Sequence, residues 1–155
     1  MNPQDPGANR AVRTFQPSDA QEVDTLLRQS PQAAAWSLKS IEQLVQRGEI
    51  AWVVENAGRI EGFLVARAVG DEAEILNLCV DPAKRRAGNA TELVRTAVME
   101  LRRMLVKAIF LEVRQSNSSA ISFYEKLGFV ANGRRPAYYQ NPTEEAVLMM
   151  RELTA

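Results

Sequence analysis

Apolar and polar positions along this chain repeat with two periods, two residues and about 3.6, and the switches between them mark out its elements. Residues 11–15 read as a short strand. Ser18 and Asp19 then offer N-caps for a helix to about Arg28, with Val23, Leu26 and Leu27 on its apolar side. A second helix is expected from near Ser37, where Leu38, Ile41, Leu44 and Val45 fall at helical spacing. Stretches 50–54 and 60–69 are apolar and β-rich, and Asn56-Ala57-Gly58 between them signals a hairpin. Gly70-Asp71 turns the chain into a further strand over 75–80. The clearest helix covers 90–105. Ala90, Leu93, Val94, Ala97, Val98, Leu101, Met104 and Leu105 make one stripe, with Glu92, Arg95, Glu100, Arg102 and Arg103 off it. A strand follows at 108–114, then a short helix capped by Asn117 or Ser118 and stopped by Gly128, with Phe129 set for the contact that follows a glycine C-cap. Two late strands, 129–133 and 146–150, flank an irregular loop bracketed by Pro136 and Pro142. This order predicts an α/β (α+β) fold with a mixed central sheet flanked by helices.

Composition narrows the class. A chain of 155 residues fits one domain, expected over 11–153 behind a polar, frayed leader at 1–10. Lysine plus arginine equal aspartate plus glutamate at 19 each, which argues against a strongly basic nucleic-acid binder. No apolar run is long enough to span a membrane, and the start lacks the pattern of a signal peptide. The single cysteine, Cys79, excludes an intrachain disulfide framework. These features point to the cytoplasm, without membrane or direct nucleic-acid partners. The chain also has no histidine, so Ser-His-Asp and Cys-His machinery are excluded and no metal site is expected. Proton transfer is left to carboxylate, tyrosine, lysine, water or the substrate.

The strongest candidate chemistry lies between the 75–80 strand and the long helix, in Asp81-Pro-Ala-Lys-Arg-Arg-Ala-Gly-Asn-Ala90. A helix N-terminus presents free N–H groups and the positive end of a dipole, and Lys84, Arg85 and Arg86 add charge. Gly88 permits close backbone approach, so a diphosphate fits; a solvated basic loop is the plainer reading. Glu112 shares one face of its strand with Phe110 and Arg114. Covered on both faces, it would be a desolvated proton acceptor; on a one-sided strand, it would face solvent and pair with Arg114. Tyr124 is either an amphipathic core residue or an acid aimed at the strand-end crevice where α/β folds place ligands. Asn117 reads first as a cap, Cys79 as a small buried filler, and Trp36 and Trp52 as core or cleft-wall residues. Tyr138 and Tyr139, near Arg134 and Arg135, form either a recognition surface or an ordinary packed loop.

Taken together these segments resemble the GNAT acetyltransferase family over about 11–153, and within it the bacterial RimI-type ribosomal-protein-alanine N-acetyltransferases. The resemblance is carried by Asn77-Leu-Cys-Val-Asp-Pro82, Arg85-Arg-Ala-Gly-Asn-Ala90, Phe110-Leu-Glu-Val-Arg114, Ser116-Asn117 and Ala120-Ile-Ser-Phe-Tyr-Glu-Lys-Leu-Gly-Phe129. Trp36-Ser37 and the stretch from Arg134-Arg135 to Tyr138-Tyr139 fit as well. It implies acetyl-CoA as co-substrate, its diphosphate on the amides of Arg86, Ala87, Gly88, Asn89 and Ala90 with Arg85 nearby. Its pantetheine arm would run along Leu78, Cys79 and Val80, with Asn117 and Tyr124 touching the coenzyme. It implies Glu112 as general base and Tyr124 as the acid that protonates the thiolate, with Trp36, Arg135, Tyr138 and Tyr139 toward the acceptor. That acceptor would be a protein N-terminus, first of all the alanine of a ribosomal protein. Departures from the family pattern fall at Ala35, Asn89, Ala90 and the stretch Gln140-Asn-Pro-Thr-Glu-Glu145. Two rivals stand beside this reading. A polyamine or aminosugar acceptor would need an acidic cluster, for which Glu144 and Glu145 are the obvious late pair. A non-catalytic coenzyme-binding regulatory module would have no need of both Glu112 and Tyr124.

Overall fold

The computed structural model describes residues 9–84 and 87–153, and its elements follow the two periodicities. The strands are β1 (Arg10–Thr14), β2 (Ile50–Asn56), β3 (Arg59–Val69), β4 (Glu72–Val80), β5 (Ala108–Arg114), β6 (Val130–Tyr139) and β7 (Glu144–Glu152). The helices are α1 (Ala20–Arg28), α2 (Leu38–Glu42), α3 (Asn89–Arg103) and α4 (Ser118–Lys126). The strands form one mixed sheet in the order β1-β2-β3-β4-β5-β7-β6. β4 and β5 pair in parallel, as the intervening crossover through α3 requires, and their ladder covers Glu72–Glu74 against Ala108–Phe110. β7 then lies antiparallel between β5 and β6.

Contacts divide the chain into two compact units. The first runs to Arg67 and resumes over Ile75–Glu100. Its core gathers Phe15, Val23, Ile41, Leu44, Phe63 and Cys79, with Phe15 and Phe63 edge to face at 5.9 Å. Trp52 is fully buried there, and its indole N–H donates to Glu100 (2.7 Å), which makes it a core residue. The second unit comprises Ala68–Glu74 and the chain from Leu101 onward. It buries Ile109, Leu111 and Val113 from one side of β5, together with Phe129, Val147 and Met149.

Four local expectations change. Asp19 does not cap α1 through its side chain; it accepts from the Gln16 N–H (2.7 Å) and pairs with Arg13 (2.8 Å) at a 3-10 turn before the helix. α2 starts just after Ser37 as expected, with the Ser37 hydroxyl accepting from the Ser40 N–H, but it ends at Glu42 and leaves Val45 exposed. α3 stops at Arg103 because Leu105 turns left-handed (φ 66°), and the Val106 and Leu105 N–H groups close back on Leu101 and Arg102. Met104 and Leu105 therefore leave the buried stripe and are exposed. The irregular loop between the late strands is largely strand. β6 lies at the sheet edge, where a proline costs no ladder bond, and register shifts near Gly133 and between Arg135 and Tyr139 absorb Pro136.

Candidate active site

In the first unit, β4 leads into the basic loop. Ile75, Asn77 and Cys79 are buried, while Leu76, Leu78 and Val80 are half-buried on the other face. Burial pushes the Cys79 thiol up to about 12, so it stays protonated at neutral pH and serves as filler. Past Val80, the Asp81 N–H donates to the Glu61 carbonyl (2.8 Å), and the Lys84 N–H donates to Asp81 (2.9 Å) to close a 3-10 turn. Arg85 and Arg86 lie outside the described residues. Gly88 sits at φ 82°, backbone that other residues adopt only with strain, and the nearest atom to a Cβ there would be 3.9 Å away. Its carbonyl accepts from the Glu92 N–H (3.0 Å) to begin α3, and the N–H groups of the first turn have no helical acceptors upstream.

Two side chains brace this loop. Arg10 donates to the Ala87 carbonyl and to Glu92 (2.7 Å). Asn89 is turned inward: its amide donates to buried Glu61 (3.3 Å), and its Oδ1 is sealed without a partner among the described residues. Ala87 and Gly88 are exposed, and Ala90 is half-buried. Trp36 is half-buried in the same unit, with the Arg47 guanidinium 5.7 Å from its ring. Buried Asn77 grips the segment before it, donating to the Ala34 carbonyl (2.9 Å) and accepting from the Ala34 N–H (3.2 Å).

In the second unit, alternation along β5 puts Phe110, Glu112 and Arg114 on a half-buried face. The Glu112 side chain is 16% exposed, and its partner is Arg135 on β6 (3.6 Å). Arg114 is thus not its mate; it pairs instead with Glu144 (3.2 Å). Hydrogen bonding to the Glu112 carboxylate, with some burial, raises the Tyr138 phenol. Tyr139 stands edge-on to Tyr138 (5.0 Å), and burial, then the Glu112 charge, pushes it up to about 12. Pro136, Ala137 and Tyr138 form a bulge between two paired positions, Arg135 on Ala146 and Tyr139 on Glu144. Its Ala137 is left-handed (φ 52°).

In the same unit, α4 carries Tyr124. Asn117 caps the helix, its Oδ1 accepting from the Ala120 N–H (3.2 Å), and its amide nitrogen has no partner among the described residues. At the far end Gly128 is left-handed (φ 89°); its N–H donates to Glu125 and that of Phe129 donates to Tyr124. This closure packs Phe129 edge to face on Tyr124 at 5.4 Å, with Phe123 on it at 5.0 Å. The ring is buried, its hydroxyl has no hydrogen-bond partner among the described residues, and burial alone raises its pKa.

The structure thus gathers Glu112, Arg135, Tyr138 and Tyr139 in one unit and settles Leu78, Cys79, Val80, Gly88 and Trp36 in the other. Sequence reasoning missed Arg10, Asn77, Glu61 and Arg114 as supports. Period-two spacing did place Arg114 beside Glu112, the one signal available for it. The rest depend on partners far away in the chain.

The profile of the acetyltransferase (GNAT) family matches residues 14–129. The chain is 32% identical over 125 residues to a ribosomal protein bS18-alanine N-acetyltransferase of Escherichia coli, covering 79% of this chain and 84% of that one. Its fold matches the crystal structure of the Escherichia coli ribosomal-protein-S18-alanine N-acetyltransferase with a TM-score of 0.85 at 27% identity, over 94% and 95% of the two chains. Ard1 from Thermoplasma volcanium matches with a TM-score of 0.88 at 30% identity, over 96% and 100%.

Proposed function

The chain belongs to the GNAT acetyltransferase family, and on that premise we propose that it transfers an acetyl group to the α-amine of a protein N-terminus, the N-terminal alanine of a ribosomal protein. Acetyl-CoA is the co-substrate of this enzyme class. The loop suits its anionic diphosphate: Gly88 opens the backbone, the first turn of α3 offers free N–H groups, and Lys84 is exposed. We place the diphosphate on the amides of residues 86–90 beside Arg85. The pantetheine arm follows Leu78, Cys79 and Val80, with the Val80 N–H polarising the thioester carbonyl. The amide nitrogen of Asn117 meets the arm.

Glu112 takes the proton of the incoming amine, directly or through water. The nitrogen bonds to the acetyl carbon, the carbon–sulfur bond breaks, and Tyr124 hands its phenolic proton to the departing thiolate. Burial keeps that phenol protonated until the thiolate forms. With the Cys79 thiol held at about 12, a covalent acyl carrier is absent from this strand, and transfer is direct within a ternary complex. An α-amine with a pKa of about 8 is partly neutral at cellular pH, whereas a lysine at about 10.4 asks more of the base. We place residues 11–153 as the catalytic domain and the enzyme in the cytoplasm.

The likeness to an alanine N-acetyltransferase over most of both chains carries the acceptor assignment. The polyamine reading loses its acidic pair, because Glu144 is held by Arg114 and the Ser116 N–H and Glu145 pairs with Arg134 (3.6 Å). Incubation with acetyl-CoA and a panel of N-terminal peptides, internal-lysine peptides and polyamines, read by mass, tests the proposal. An Ala-starting ribosomal peptide labelled only at its α-amine is expected; labelling confined to polyamines would overturn it. Arg85→Ala with Arg86→Ala is expected to weaken acetyl-CoA binding in a salt-sensitive way, checked by titration at two ionic strengths.

A further inference from the structure

Arg114 closes β5 on the face that carries Glu112, yet it makes no ion pair with that carboxylate. Its Nη2 donates to the Gln140 carbonyl (2.9 Å), and its Nη1 donates to the Pro142 carbonyl (3.2 Å) and to Glu144 Oε1 (3.2 Å). The guanidinium carbon stands 4.6 Å from the centre of the Tyr139 ring. Glu144 completes the knot by accepting the Ser116 N–H on its other oxygen at 2.6 Å. One planar fork therefore joins the end of β5 to the β6–β7 turn and an aromatic ring, and Glu144 ties in the turn after β5. Lysine cannot reproduce this arrangement, because a point charge on a flexible stem offers neither the fork nor the stacking plane.

The direction of these contacts matters. They all run toward Tyr139 and residues 140–144. We propose that Arg114 is the positioning residue of the acceptor side, fixing Tyr139 and the 140–143 turn so that the first residues of an acceptor chain meet a preformed edge. This rests on the reading that places the acceptor at Tyr138 and Tyr139. Arg114 takes no proton and touches no reacting atom; its effect is on how well the acceptor is held, not on the donor.

Arg114→Lys, Arg114→Met and Glu144→Gln, each made in the full chain, test this with peptide and acetyl-CoA varied separately. Arg114→Met is expected to raise the peptide KM about tenfold, with kcat changed less than about threefold and the acetyl-CoA KM held. Arg114→Lys should recover part of the loss, and Glu144→Gln, which keeps the carbonyl bonds, should raise the peptide KM about threefold. A general structural defect would move both KM values and the melting temperature together. Amide hydrogen exchange over 140–143 should quicken in all three variants, and this readout needs no acceptor. Unchanged exchange would overturn the knot; faster exchange with a wild-type peptide KM would overturn its link to the acceptor. If the wild-type enzyme labels no N-terminal peptide, the acceptor assignment fails, while exchange still decides whether Arg114 orders the turn. Should Arg114→Met not fold, Arg114→Lys and Glu144→Gln decide the question by the same two measurements.

Discussion

Tyr124 combines a ring locked in a core with a hydroxyl that finds no partner among the described residues, a combination that suits an acid waiting for a ligand. Phenylalanine would keep both edge-to-face contacts and remove only that hydroxyl. Tyr124→Phe is therefore expected to leave stability within about 1 kcal/mol and acetyl-CoA affinity unchanged while kcat falls about 100-fold, read by denaturant melts, titration and steady-state rates. Glu112→Gln should lower kcat by a similar factor, about 100-fold, most clearly near neutral pH. Alternation in a short apolar strand is enough to set Glu112 and Arg114 on one face. It cannot choose between their partners, because Arg135 and Glu144 are delivered by later strands whose register shifts no local pattern reveals.

At the scale of elements, the turn after α4 is legible almost completely, since a left-handed glycine followed by an apolar residue has one common geometry. Gly128→Ala forces a Cβ into φ 89° and is expected to cost about 1 kcal/mol. It should also lower kcat, because the same closure sets Phe129 against Tyr124; kcat and unfolding midpoint measured together check the pair of effects. The end of α3 escapes sequence reasoning for the opposite reason. Leu105 adopts the conformation usually left to glycine, so the apolar stripe runs on in the sequence past the point where the helix stops. It is 79% exposed, so Leu105→Gly gives up little burial and is expected to stabilise by about 1 kcal/mol, seen as a raised denaturant midpoint. β6 is longer than its local pattern predicts, because Pro136 has the signature of a strand breaker. Its place at the sheet edge, which no single segment discloses, makes the proline harmless.

Across the whole molecule a formal charge of zero hides acids that are held by arginines. Desolvation pulls Asp19 and Glu49 upward, but Arg13 with the Gln16 N–H, and Arg47 with Arg67, outweigh it and hold both carboxyls below their ordinary values of 3.8 and 4.5. The unfolded chain then binds protons more readily than the folded one in acid. Their contribution to stability is complete above those ordinary values and is lost as pH falls through the lower, folded ones. Urea midpoints measured from about pH 6 down to pH 3 should decline, and Asp19→Asn with Glu49→Gln should flatten that decline. The order of elements is readable from periodicity, since most of them announce themselves locally even where their ends do not. The supports of the site are not: Arg10 on Ala87 and Asn77 on Ala34 join segments that only the folded chain brings together.

The bulge at Pro136, Ala137 and Tyr138 also says how this surface can diversify. Side chains on a strand alternate sides, so deleting one residue there would swing Tyr139 to the reverse of the sheet while β7 kept its pairing with β5. A change of chain length at this bulge would thus alter which groups stand beside Tyr138 while leaving Glu112 on its own strand, paired across to Leu148.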